Sequence, residues 1–99
     1  MLTFEKVLTV FADYLHQDPL YEVLLTSHGY TLLAWEPSRN EWYSAEFTAT
    51  PNILLDRLID AYANFLEDQI TGNEREPTPS ETAEIKTKCN LLREQCHIK

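Results

Sequence analysis

The sequence predicts an α+β protein, a three-stranded antiparallel β-meander packed with helices in the order α-β-β-β-α-α. Three observations carry that prediction. Apolar residues recur at helical spacing before Gln17 and again after Thr50, the segment between is rich in aromatic and β-branched residues, and short turn-forming stretches divide it into three. At 99 residues the chain is read as a single domain, residues 1 to 99, with one core.

The first helix follows from Phe4, Val7, Leu8, Phe11 and Leu15, which share one face, while Glu5, Thr9 and Asp13 fall on another. Thr3 suits the N-cap, and the helix is expected to end near Gln17, because Asp18 precedes a proline and is pushed out of the helical region. Tyr21 to Thr26, Tyr30 to Glu36 and Glu41 to Thr48 then read as strands. A His28-Gly29 turn sets Leu25 opposite Leu32 and Val23 opposite Ala34. A four-residue loop, Pro37 to Asn40, sets Trp35 opposite Trp42, Ala34 opposite Tyr43, Leu32 opposite Ala45 and Tyr30 opposite Phe47.

Directly opposed residues share a sheet face. One face therefore gathers Tyr21, Val23, Leu25, Tyr30, Leu32, Ala34, Tyr43, Ala45 and Phe47, and is expected to be core. The other gathers Glu22, Leu24, Thr26, Thr31, Leu33, Trp35, Trp42, Ser44 and Glu46, polar at its ends and apolar in its middle. A three-residue first turn would swap the faces of the first strand.

The second helix has the clearest boundaries: Thr50 to cap it, Pro51 at its first position, and Gly72 just past Thr71. Leu55, Leu58, Ile59, Tyr62, Phe65, Leu66 and Ile70 form its apolar side, and Asp56, Asp60, Asn64 and Glu67 follow one another on the far side. Gly72 to Pro77 reads as an exposed connection. Thr78-Pro79-Ser80-Glu81 has the T-x-x-E form of a capping box, opening a third helix with a stripe at Ile85, Cys89, Leu92 and Cys96. Two helices suffice to cover one face of the sheet; the third either packs beside them or crosses to the tryptophan face.

Charge narrows the classes of function. Sixteen acidic against eight basic residues give −8, which opposes binding to phosphate backbones and anionic membranes and favours partners with basic patches. The balance is −11 before Lys86 and +3 from Lys86 to Lys99, so the C-terminal segment is expected to lie against an acidic body. The N-terminal stretch MLTFEKVLTVFADYL has neither a basic leader nor a small-residue cleavage site, and no apolar run approaches the ~20 residues that span a bilayer. A cytoplasmic protein is expected. Cys89 and Cys96 on one helix stand ~10 Å apart, too far to bridge, and read as reduced packing residues.

Sites for chemistry are weak. Asp56 and Asp60 lack further ligands for a hard cation, Asp13 and His16 make a surface pair, and Ser27-His28-Gly29 has no third group to orient the imidazole. Cys89, Cys96 and His97 lack the spacing of a zinc clip, and with two glycines, both in turns, no phosphate loop exists. No catalytic residue, metal, cofactor or small-molecule ligand is predicted, and the chain is read as non-enzymatic.

The candidate surface is an interaction patch of Leu24, Leu33, Trp35 and Trp42. Large aromatics of ~150 to 250 Å² each bring such a patch to the few-hundred-Å² scale of interaction surfaces. The plainer alternative is that the third helix or a loop covers it within the monomer. A stacking platform for single-stranded nucleic acid is opposed by the surrounding carboxylates. The expected function is a small acidic binding protein acting through this face, either as a homodimer or against a partner protein. The alternative is an acidic decoy whose Asp56, Asp60, Glu67 and Asp68 stand in for phosphates on a nucleic-acid-binding protein.

The stretches FEKVLTVFADYL, YEVLLTSHGYTLLAWEPSRNEWYSAEF and LLDRLIDAYANFLED resemble small accessory proteins encoded in integrative and conjugative elements of Gram-positive bacteria. The resemblance covers most of the chain through structural motifs. It implies a cytoplasmic accessory role in a mobile element, and it carries over no catalytic residue.

Overall fold

A computed structural model describes residues 1 to 97. Lys99, the last cation of the basic C-terminal segment, lies outside them. The elements are α1 (Phe4–Val10), α2 (Ala12–Gln17), β1 (Tyr21–Thr26), β2 (Gly29–Glu36), β3 (Glu41–Phe47), α3 (Pro51–Thr71) and α4 (Pro79–Cys96). The sheet is antiparallel in the order β1-β2-β3, so the α+β meander is as expected.

The first predicted helix is divided in two at Phe11, whose φ of −93° and ψ of 4° interrupt it without reversing the chain. The Thr9 hydroxyl donates to the Glu5 carbonyl at 2.8 Å, a back-bond that bends helices. Phe11 itself is fully buried, edge-on to Tyr14 and Tyr62. Asp18 ends α2 and is buried: it accepts from the Tyr14 hydroxyl at 2.7 Å and from the Leu20 N–H at 3.0 Å. Burial and this carboxylate together raise the Tyr14 pKa, which keeps the hydroxyl a donor.

Both hairpins depart from the expected register. The first turn is Ser27-His28, with Thr26 opposite Gly29, Leu25 opposite Tyr30 and Val23 opposite Leu32. The Thr26 hydroxyl accepts from the His28 N–H at 3.2 Å and donates to the Gly29 carbonyl at 2.9 Å, clamping the turn one residue earlier than expected. The slide is by two residues, so β1 keeps its faces.

The second hairpin begins as expected, with Glu36 opposite Glu41 and Trp35 opposite Trp42, and Asn40 takes the left-handed conformation at φ 54°. A bulge then slips the pairing by one, placing Ala34 opposite Ser44, Leu32 opposite Glu46 and Thr31 opposite Phe47. Ala45 and Phe47 therefore join the tryptophan face, and Ser44 and Glu46 turn toward the helices, the reverse of the expected assignment. Glu46 finds Arg57 of α3 there at 2.9 Å.

The core lies between the sheet and the helices: Val7, Phe11 and Tyr14 meet Leu32 and the α3 residues Leu54, Leu55, Leu58 and Ala61, with Cys96 of α4 closing it. Helix α3 is capped at both ends as its sequence requires, by the Thr50 hydroxyl at the N-terminus and by Gly72 at φ 64°. Helix α4 packs beside α3 and α1, burying Cys89 and Cys96 as free thiols, and Arg93 reaches Asp56 at 2.9 Å.

The capping box of α4 is doubly held, because the Glu81 carboxylate accepts from the Thr78 N–H at 2.9 Å and from Arg75 at 2.7 and 3.0 Å. The Arg75 hydrogen bonds and that backbone donor hold the Glu81 pKa at about 2, against an ordinary 4.5. A depressed carboxylate contributes stability that is present above pH 4.5 and lost as pH falls toward 2. Urea unfolding followed across that window should show a steeper acid loss for the native chain than for Glu81→Gln. Equal pH slopes would show that the cap adds nothing to global stability.

Candidate functional site: the outer sheet face

The register places residues on the helix-free face in rows across three strands. Leu24, Thr31 and Phe47 form one row, Glu22, Leu33 and Ala45 the next. Trp35 and Trp42 form the third, beside Leu20, whose carbonyl accepts from the Trp35 N–H at 2.8 Å. The two indoles meet edge to face, ring centroids 4.9 Å apart at 75°, the geometry favoured by the aromatic quadrupole. The predicted patch residues Leu24, Leu33, Trp35 and Trp42 thus share one surface.

Phe47 belongs to this surface although the sequence reading placed it in the core. The hint lay in Trp42-Tyr43, two large aromatics in succession where a regular strand alternates. At the bulge Trp42 stays with Trp35, while Tyr43 turns to the helix side and lies beside Tyr21. Burial, and then Tyr43, raise the Tyr21 pKa.

Among the described residues, nothing covers the face. Leu24, Trp42 and Phe47 are 49%, 44% and 52% exposed, and Leu33 and Trp35 are half-buried by their neighbours on the sheet. Helix α4, which might have crossed it, packs on α3 and α1 instead. The physical reason is the stripe Cys89 and Cys96, whose burial against the helical layer raises both thiol pKa values.

Phe47 also seals the first turn. A β-carbon on Gly29 would stand 3.2 Å from the Phe47 ring, and the Gly29 φ of 128° disfavours any side chain. Gly29→Ala should therefore destabilise the fold by about 1 to 3 kcal/mol in urea titration. A neutral result would mean that the turn relaxes freely.

The rim is acidic. Glu22 lies within the face, while Glu36 and Glu41, one step past the indole pair at the hairpin end, alternate to the other side of the sheet. The Ser38 hydroxyl and N–H both donate to Glu36, holding its carboxylate below the usual range. Arg39 sits 3.7 Å from Glu41 with both side chains largely exposed, a pair of little energetic weight.

The other candidates are scattered. A groove of about 520 Å³ runs between β1 and α2, lined by Leu8, Leu15, His16, Tyr21 and Val23, with buried Asp18 at its end. Asp13 lines a different groove from His16. Asp56 is engaged by Arg93, which makes the acidic side of α3 a poorer image of a phosphate row. Among the described residues, no three His, Cys, Asp or Glu side chains cluster to hold a metal ion, and no helix is long and apolar enough to cross a membrane.

Fold and site together define a small acidic α+β protein with an aromatic sheet face open to solvent. Comparison with protein-family models, with curated proteins and with solved structures gave no match.

Proposed function

We propose that the chain is a non-enzymatic protein-interaction module whose outer sheet face docks a partner protein that offers an apolar centre and a basic rim. One observation carries the reading: a T-shaped indole pair 4.9 Å apart, with Leu24 and Phe47, on a face that no helix covers. Tryptophan concentrates binding energy at interface centres, and an exposed cluster of this kind exceeds the scattered single apolar residues of ordinary surfaces. The basic rim follows from the charge of −8 and from Glu22 beside Leu33 on the patch. The cytoplasmic setting rests on the sequence expectations, and the accessory role in a mobile element on the resemblance alone; both belong to the same proposal.

The two tryptophans are the only ones in the chain, so their emission reports on this face directly. A partner captured from host lysate should shift that emission to the blue and should be lost from a folded Trp42→Ser/Phe47→Ser variant. Undiminished capture by that variant would overturn the proposal. Salt should weaken the complex only through its rim, whereas a phosphate-mimicking acidic surface would lose its partner steeply as ionic strength rises.

A further inference from the structure

The sheet has two edges, and they differ. At the β3 edge the bulge after Trp42 breaks the ladder, and Glu41 and Glu46 add charge. These are the devices that protect edge strands from pairing. The β1 edge has no bulge and a single charge. Its register with β2 is regular from Tyr21 to Thr26, and Glu22 is its one charge, with no proline or cation within it.

The Trp35 N–H bonds the Leu20 carbonyl, which fixes the alternation of the ladder. Even-numbered residues of β1 exchange bonds with β2, so the N–H and C=O groups of Tyr21, Val23 and Leu25 point outward. Their side chains lie on the helix side, where the groove lined by Leu8, Leu15 and Val23 opens beside the strand. Leu25 there is 64% exposed, unusual for a leucine on the core side of a sheet.

The geometry points to β1 as a self-pairing edge, where a second copy of this chain adds its own β1 antiparallel and joins the two sheets into one of six strands. This inference is independent of the outer-face reading. The symmetry selects the register. A two-fold axis centres either on an outward-facing residue, 21, 23 or 25, or on the residue between two of them. Centring on Glu22 sets the two Glu22 carboxylates directly opposite each other, and centring on Leu24 pairs only Val23 with Leu25, for about four bonds. Centring on Tyr21 brings Pro19, which has no N–H, against Val23 of the second copy, and centring on Leu25 runs the strand into the turn at Ser27-His28.

Centring on Val23 pairs all three outward residues. Val23 meets Val23, and Tyr21 meets Leu25 twice, for about six backbone hydrogen bonds. The exposed Leu25 gains an aromatic cover. On the outer face Glu22 falls opposite Leu24, so the two like charges do not oppose each other directly. The protected β3 edges then face outward and the assembly closes at two copies. Each copy carries −8, so added salt favours the pairing by screening.

Sedimentation velocity over about 10 to 1,000 μM should show a species of twice the 11.5 kDa chain growing with concentration. The dimer fraction should increase between about 0.05 and 0.5 M salt. Under mild oxidation Val23→Cys should give a covalent dimer, because opposed Cα atoms in a bonded pair lie about 5.5 Å apart, within disulfide reach. Leu25→Cys is the more exposed position, yet it should cross-link at least tenfold more slowly, its partner thiol lying about 14 Å along the strand. Trp42→Ala should leave the dimer fraction unchanged. A monomer at every concentration overturns the proposal, as does Leu25→Cys cross-linking as fast as Val23→Cys, or a dimer that Trp42→Ala abolishes.

Discussion

Trp42→Ala should weaken the outer-face complex by about thirty-fold or more, because truncating a tryptophan at the centre of an interface costs at least ~2 kcal/mol. The centre of this patch is the indole pair, and Trp42 is its more exposed member, 44% open to solvent against a half-buried Trp35. Removing it deletes both the surface offered to the partner and the ring edge that orients Trp35. The free protein should lose about 1 to 2 kcal/mol, since Trp42 still buries more than half of its surface on the sheet and packs against Trp35. Titration calorimetry of the captured partner, paired with thermal unfolding of the variant, separates the two effects. A Trp42→Ala protein that binds normally would move the energetic centre elsewhere on the molecule, and one that fails to fold would show that the indole pair serves the sheet first.

Phe11→Ala should be the most damaging single change to the fold, at about 3 to 5 kcal/mol, the range for emptying a buried aromatic site. Phe11 is completely buried at the junction of α1 and α2, edge-on to Tyr14 and Tyr62, and so ties the N-terminal segment to α3. The helix break at Phe11 makes collapse into the cavity difficult, because the backbone there is already fixed by N–H bonds to the Val7 and Thr9 carbonyls. Small domains are stable by only ~5 to 15 kcal/mol, so the variant should be partly unfolded near physiological temperature. Chemical denaturation at low temperature checks the magnitude. A loss below about 1 kcal/mol would mean that the aromatic cluster repacks around the void.

These two changes mark the two sides of one sheet. Glu46 illustrates how finely that division is set: one extra residue near Tyr43 turns it from the partner-facing side to a contact with Arg57. The same slip brings Phe47 out and gives the patch an aromatic at each end, with Leu33 between and Leu24 in the row of Phe47.

Much of this was legible in the sequence where the signal is local. Thr50, Pro51 and Gly72 bound α3 because capping and left-handed geometry depend on residues a few positions apart, and the Thr78 to Glu81 box opens α4 for the same reason. The facing of Trp35 and Trp42 follows from a loop whose length and residue types fix the hairpin beside it. The bulge, the earlier first turn and the division of the N-terminal helix were not legible. Each is decided by contacts distant in sequence, or by a balance between near-equal local options. The hydroxyl of Thr26 selects one turn over the next, and Thr48 bonds the Tyr30 carbonyl from 18 positions away to anchor the slipped register.

Residue type and short-range spacing suffice for the succession of helix, three strands and two helices, apart from the break at Phe11, and for the helix caps and the acidic balance. Tertiary structure alone decided that α4 lies with the other helices and leaves the aromatic face open. That choice turns on which apolar surfaces bury together most completely. Cys89 and Cys96 find closed packing against the helical layer, while Trp42, Leu24 and Phe47 on the far side of the sheet stay in contact with water.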